Sequence, residues 1–147
     1  MLTPKKLSNK NFLSSLDISK KELIYIFELA RKFKNQDLKI QLNNKVLGLI
    51  FDKSSTRTRV SFQVAMSRLG GTTIDLNPTT SQIGRGEPIK DTARVLSRYC
   101  DVLAIRTYKQ EDLVEYGKWF SKPVINALTD FEHPCQVLAD YLTILEN

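Results

Sequence analysis

Val46-Leu47-Gly48-Leu49-Ile50-Phe51, followed by Asp52-Lys53-Ser54-Ser55-Thr56-Arg57-Thr58-Arg59, decides the fold. The apolar run reads as a buried strand. Val60 to Leu69 then switches to helical spacing, with Phe62, Ala65, Met66 and Leu69 on the expected buried face. A block of hydroxyls and arginines therefore lies where a strand hands over to a helix. An α/β protein binds oxyanions at such a place. The first helical N–H groups have no intrahelical partner, the helix dipole favours negative charge, and arginine adds a planar fork that matches phosphate.

Outward from this segment, strands and helices alternate. Leu23, Ile26, Phe27, Ala30 and Phe33 repeat at helical spacing, which predicts a helix over residues 19–34, and Asn43-Asn44 reads as a turn. Gly70-Gly71 closes the helix after the hydroxyl block, as a left-handed cap does. Thr72 to Leu76 is a second strand, and residues 77–89, rich in Pro, Gly, Ser and Thr, form a long loop. Asp91 to Tyr99 is expected as a helix with Val95 and Leu96 inward. Asp101 to Arg106 is a third strand, 109–120 a helix, Pro123 to Asn126 a fourth strand, and Cys135 onward a last helix. This order predicts a three-layer α/β/α domain over residues 1–147 with a four-stranded parallel sheet. Ligands of such sheets bind beyond the carboxyl ends of the strands. Ser55–Arg59, Arg106 and His133-Pro134-Cys135-Gln136 all fall on that edge.

Composition bounds the function. Hydrophobic residues are 41% and charged residues 26% of 147, which suits a globular domain with a real core. No apolar run approaches the ~20 residues that span a bilayer, so no membrane partner is expected. Met1 to Lys6 carries no secretory pattern. Two cysteines, Cys100 and Cys135, make no disulfide framework and favour a reducing compartment, with the cytoplasm as the default. Residues 1–73 hold 14 Lys/Arg against 5 Asp/Glu (+9), and residues 74–147 hold 8 against 11 (−3). A basic half fits an anionic partner. Lys20, Lys21, Lys32 and Lys34 instead read as solvated helix faces. No nucleic acid is expected, because basic residues are not interleaved with aromatics and no reading motif is present.

Each chemical candidate has a plainer alternative. Ser55, Thr56 and Thr58 are either phosphate ligands alongside Arg57, or one of them is simply a helix cap worth ~1 kcal/mol. Capping accounts for one hydroxyl and not for the arginines; Arg59, one helical step from Thr58, is placed to serve structure. The Walker pattern and the glycine-rich dinucleotide fingerprint are both missing. Arg106 is either a solvated strand end or a second fork for the same anion. His133, the one histidine, is either a structural residue or a donor to a carbonyl oxygen, with Gln136 able to grip an NH₂ group. No metal is expected, since no ligand spacing is present. Cys135 is two residues from His133 in one turn, poor geometry for a cysteine hydrolase, and reads as a packed, inert thiol. The segment Ser81 to Glu87 is either a mobile loop or an arm that reaches a neighbouring subunit.

Together these motifs resemble the aspartate/ornithine carbamoyltransferase family. Ser55-Thr56-Arg57-Thr58-Arg59 is similar to its Ser-x-Arg-Thr-Arg signature and His133-Pro134-Cys135-Gln136 to its His-Pro-x-Gln signature. Asn11 to Asp17, the loop Ser81–Glu87, Asp91 to Ser97 and Arg106 follow in the family's order. The resemblance implies a carbamoyl phosphate-binding domain that needs no cofactor. Ser55, Thr56, Arg57 and Thr58 would hold the phosphate and Arg106 would bridge phosphate and carbonyl. His133 would donate to the carbamoyl oxygen, Gln136 would bind the carbamoyl NH₂, and Gln82 would reach an adjacent site in a homotrimer. Cys135 and Gln82-Ile83-Gly84 resemble the ornithine branch, which makes L-citrulline from L-ornithine in arginine biosynthesis. Arg85-Gly86-Glu87 resembles the lysine-glycine-glutamate of the aspartate branch and leaves aspartate, or putrescine, as an alternative acceptor. A second, amino-acid-binding domain is expected outside these residues, because its Ser-Met-Gly and His-Cys-Leu-Pro motifs do not occur in them. The chain is then a fragment or half of a split enzyme, and alone it is expected to be inactive. A non-catalytic carbamoyl phosphate-binding module is the other reading.

Overall fold

The computed structural model describes Leu7, residues 10–36 and residues 40–147. The expectation for Met1 to Lys6 lies outside the described residues. Four strands form one all-parallel sheet: β1 (Val46–Phe51), β2 (Thr72–Leu76), β3 (Val102–Arg106) and β4 (Val124–Leu128), in the order β2-β1-β3-β4. The helices are α1 (Lys20–Lys34), α2 (Arg57–Arg68), α3 (Ile89–Leu96), α4 (Gln110–Trp119) and α5 (Pro134–Glu146).

Alternation along β1 splits the core in two. Ile50 joins Leu103, Ile105 and Val124 beneath Ala93 of α3 and Leu113, Tyr116 and Phe120 at α4. Leu47, Leu49 and Phe51 face the other way, with Ala104, Ala127 and, from α2, Phe62 and Met66. Both sheet faces are therefore covered, as expected of three layers. Gly48 is required by this packing: a Cβ there would lie 2.6 Å from Leu103 Cδ2 and 3.0 Å from Cys100 Sγ. Gly48→Ala is expected to destabilise the fold by about 1–3 kcal/mol, read as a lower urea midpoint at unchanged slope.

α1 begins with a capping box, Ser19 with Glu22. It meets α5 through the Phe27–Tyr141 ring pair (centroids 5.9 Å apart) and the ion pairs of Arg31 and Lys34 with Glu146. Lys20, Lys21, Lys32 and Lys34 are exposed, as their reading required. The Asn43-Asn44 turn is present, with Asn44 at φ 63°, and Gly70 takes the left-handed cap at φ 76°.

Several expectations need correction. α2 starts at Arg57 rather than Val60, so the arginines belong to its first turn. Ala65 is exposed, because Phe62 and Met66, one helical turn apart, are long enough to reach the sheet alone. Val95 is 55% exposed: α3 starts at Ile89 and buries Thr92 and Ala93, which leaves Leu96 on the inward arc and Val95 outside it. The 77–89 stretch is not an open loop. It holds two 3₁₀ turns, Pro78–Thr80 and Ile83–Arg85, with Gly84 against the Pro78 carbonyl and Ile83 against the core.

One feature has no strong sequence signal. The segment before α1 covers the free edge of β4: Phe12 N–H donates to Val124 O (2.8 Å) and Asn126 N–H to Phe12 O (2.8 Å). The Asn11 and Asn126 side chains and Gln110 complete the lacing. An edge strand left bare would be a template for other chains.

Candidate functional site

The sheet order reverses between β1 and β3, and in an open parallel sheet the crevice forms at that switch point. The residues that follow β1, β3 and β4 therefore share one rim. Backbone bonds lace it: Asp52 N–H to Arg106 O (2.8 Å), Thr107 N–H to Leu128 O (3.0 Å) and Asp130 N–H to Tyr108 O (2.9 Å). Lys53 adds an ion pair with Asp130 and lies 4.2 Å from the centre of the Tyr108 ring. Lys53 has no motif spacing that marks it in the sequence.

Two open clefts sit on this rim. One, of about 270 Å³, is lined by Ser54, Ser55, Thr56, Arg57, Thr58 and Arg106. The other, of about 460 Å³, has Arg57, Thr58, His133, Cys135, Gln136 and Ala139 in its wall. Arg57 and Thr58 border both, so the clefts are neighbours. Thr58 Oγ1 lies 3.4 Å from His133 Nε2 and joins the start of α2 to the start of α5. Two helix N-termini thus converge, and both dipoles favour an anion between them.

The donors are unspent. Thr56 stands at the N-cap of α2 in an αR conformation and makes no capping bond, which removes the plain capping explanation of the hydroxyls. Among the described residues, Ser55 and Thr56 side chains have no intramolecular hydrogen bond, and Arg57 is exposed without an ion pair. Arg106 Nε is buried without a partner, and so is His133 Nδ1. Arg59 is spent elsewhere: it pairs with Asp75 (3.3 Å) and lies over Phe51 (5.2 Å), tying α2 to the sheet. Gln82 is exposed in the 3₁₀ turns after β2 and borders neither cleft.

Electrostatics sharpen the picture. Burial, and then the Arg106 guanidinium, push the His133 imidazole below its ordinary pKa, with Asp140 opposing them. The shift favours the neutral ring, which carries one N–H. Pro134 occupies the first turn of α5, and the His133 side chain does not cap it. Burial pushes the Cys135 thiol up to about 11 and raises that of Cys100 as well. Both thiols are therefore expected to resist alkylation at pH 8 in the folded chain and to react together in denaturant, which a thiol titration with and without urea would check.

Gln136 donates through Nε2 to Asp140 Oδ1 at 2.8 Å. Asp140 belongs to no motif, and its i, i+4 spacing from Gln136 is the one sequence signal of this contact.

Comparison with known proteins bears on these residues. The family described as aspartate/ornithine carbamoyltransferase, carbamoyl-P binding domain, matches residues 10–146. An ornithine carbamoyltransferase of Prochlorococcus marinus subsp. pastoris is 76% identical over the whole chain and 48% of its own length. The solved ornithine carbamoyltransferase of Pyrococcus furiosus is 48% identical over 95% of this chain and 46% of that one, with a TM-score of 0.89. An aspartate transcarbamoylase of Trypanosoma cruzi, solved with N-(phosphonacetyl)-L-aspartic acid, is 32% identical over 95% of this chain and 46% of that one (TM-score 0.85). The chain spans about half the length of the relatives it matches.

Proposed function

The chain belongs to the aspartate/ornithine carbamoyltransferase family, and from that premise we propose that its rim binds carbamoyl phosphate and polarises it for transfer to the side-chain amine of L-ornithine. The observation that carries this is the pair of neighbouring clefts, joined at Arg57 and Thr58, that Arg106 lines on one side and His133 and Gln136 on the other. Ser55, Thr56, Arg57 and Thr58 hold the phosphate, with Arg106 between phosphate and carbonyl. The His133 N–H points its dipole at the carbamoyl oxygen, and Gln136 takes the NH₂.

The amine nitrogen attacks the carbamoyl carbon, and negative charge builds on the carbonyl oxygen. The C–O bond to phosphate then breaks, the new C–N bond remains, and the proton lost by the amine leaves with phosphate. Preorganised donors at such an oxygen are worth about 3–4 kcal/mol each. The arginines stabilise the departing phosphate.

The high identity to relatives named ornithine carbamoyltransferase, against 32% for an aspartate enzyme, supports ornithine as acceptor. Because the relatives are about twice as long, the acceptor is held by groups outside residues 1–147, which form the carbamoyl phosphate-binding domain. With ornithine as acceptor, the reaction takes its place in arginine biosynthesis, and the cytoplasm is the compartment that goes with this reading. A homotrimer is the assembly in which Gln82, which borders neither cleft of its own chain, meets a neighbour's site.

Titration of the folded chain with carbamoyl phosphate and with phosphonoacetamide tests the reading. Saturable binding of both is expected, with little or no citrulline formed from ornithine. A folded sample that binds neither overturns it.

A further inference from the structure

The cleft is rich in donors and poor in dedicated acceptors. Arg57, Arg106 and the single N–H of neutral His133 suit phosphate and carbonyl oxygens. An NH₂ group on the ligand needs the opposite, an oxygen that accepts. Gln136 offers one only if its amide is turned the right way, since a side-chain amide carries a donor at one end and an acceptor at the other.

Asp140 settles that choice. An ionised carboxylate accepts and never donates. Its Oδ1 lies 2.8 Å from Gln136 Nε2, so the NH₂ end of the amide must face it. Gln136 itself is in the cleft wall with Arg57, Thr58, His133 and Ala139. Asp140 has no other hydrogen bond and no ion pair among the described residues.

We propose that Asp140 is a positioning residue that fixes the Gln136 amide with its carbonyl oxygen toward the cleft, so that the site prefers an acyl phosphate ending in NH₂ over one ending in CH₃. This rests on the acyl phosphate reading given above. It adds a residue that touches no substrate and a named competitor class, the acetyl phosphate type.

A pair of stable probes isolates the effect. Phosphonoacetamide (H₂N–CO–CH₂–PO₃²⁻) and acetonylphosphonate (CH₃–CO–CH₂–PO₃²⁻) differ only at the terminal group, and inorganic phosphate reports the phosphate contacts alone. Calorimetric titration of the 147-residue chain is expected to show phosphonoacetamide bound about tenfold tighter than acetonylphosphonate, the size of one directed hydrogen bond. Asp140→Asn keeps the shape but donates as well as accepts, so the amide is free to flip. The preference is then expected to fall to about twofold or less. Losing a negative charge shifts all three ligands together and leaves their ratio unmoved. Asp140→Glu, which keeps an acceptor-only group, is expected to restore most of the preference, and Asp140→Ser serves if the Asn variant does not fold. An unchanged ratio in Asp140→Asn or Asp140→Ser, equal losses for all three ligands, or no preference in the parent chain overturns the proposal. Failure of all three probes to bind the parent overturns the acyl phosphate reading instead.

Discussion

Arg57→Met is expected to weaken binding of carbamoyl phosphate and of inorganic phosphate about 10- to 100-fold while moving the melting temperature by no more than about 2 °C. The two numbers separate because Arg57 has different standing in the two equilibria. It is exposed and makes no ion pair among the described residues, so the fold loses little when the guanidinium goes. It also borders both clefts, beside Ser55, Thr56 and Thr58 in one and His133 and Gln136 in the other. A hydrogen bond to a charged group is worth about 1.5–3 kcal/mol, which spans that range of affinity. Calorimetry and a thermal melt on the same sample check it. Phosphate affinity equal to the parent's would show that the anion does not use this arginine.

Leu49→Ala is expected to cost about 2–5 kcal/mol, a large part of the ~5–15 kcal/mol that holds a domain together. Leu49 is fully buried at the centre of β1, paired with Asp75 on one side and Ala104 on the other. Its side chain fills the face shared with Leu47, Phe51, Ala104 and Ala127, where α2 and the strands leave little to collapse into the gap. A drop of roughly 10 °C or more in melting temperature is the expected reading. A change below about 1 kcal/mol would mean that this face is not packed as described. Because β1 also carries the loop that leads into α2, the folded fraction below the transition should still bind phosphate. That separates a loss of fold from a loss of site.

Much of the architecture was legible because it is local. β1 was read to the residue, since a short apolar run bounded by polar groups has one sensible interpretation. Element ends were less legible. α2 begins three residues before its apolar spacing does, because Arg57 and Thr58 satisfy helical backbone geometry without contributing to the buried stripe. The outward face of Val95 was hard to read because the inward stripe of α3 is Ile89, Thr92, Ala93 and Leu96, at i, i+3, i+4 and i+7, and two of its four members are small or polar. The docking of Asn11 to Leu13 along β4 was invisible, since its bonds run through backbone and amides to residues more than a hundred positions away.

The order of residue types along the chain, read alone, was enough for the alternating α/β pattern, the parallel sheet, and the placing of Arg106 at a strand end and of Ser55–Thr58 and His133–Gln136 past strand ends. Periodicity reports which face of an element is buried, and the chain direction reports which end of a strand a loop leaves. Neither reports which strands are neighbours. The β2-β1-β3-β4 order is a matter of long-range pairing, and it alone sets β1 beside β3 and β3 beside β4, so that three distant loops share one rim. Tertiary structure also decided which groups are left free to bind: Arg59 is consumed by Asp75 and Phe51, and Arg57 is not. A side chain's chemistry is set by its type, but its availability is set by what packs beside it.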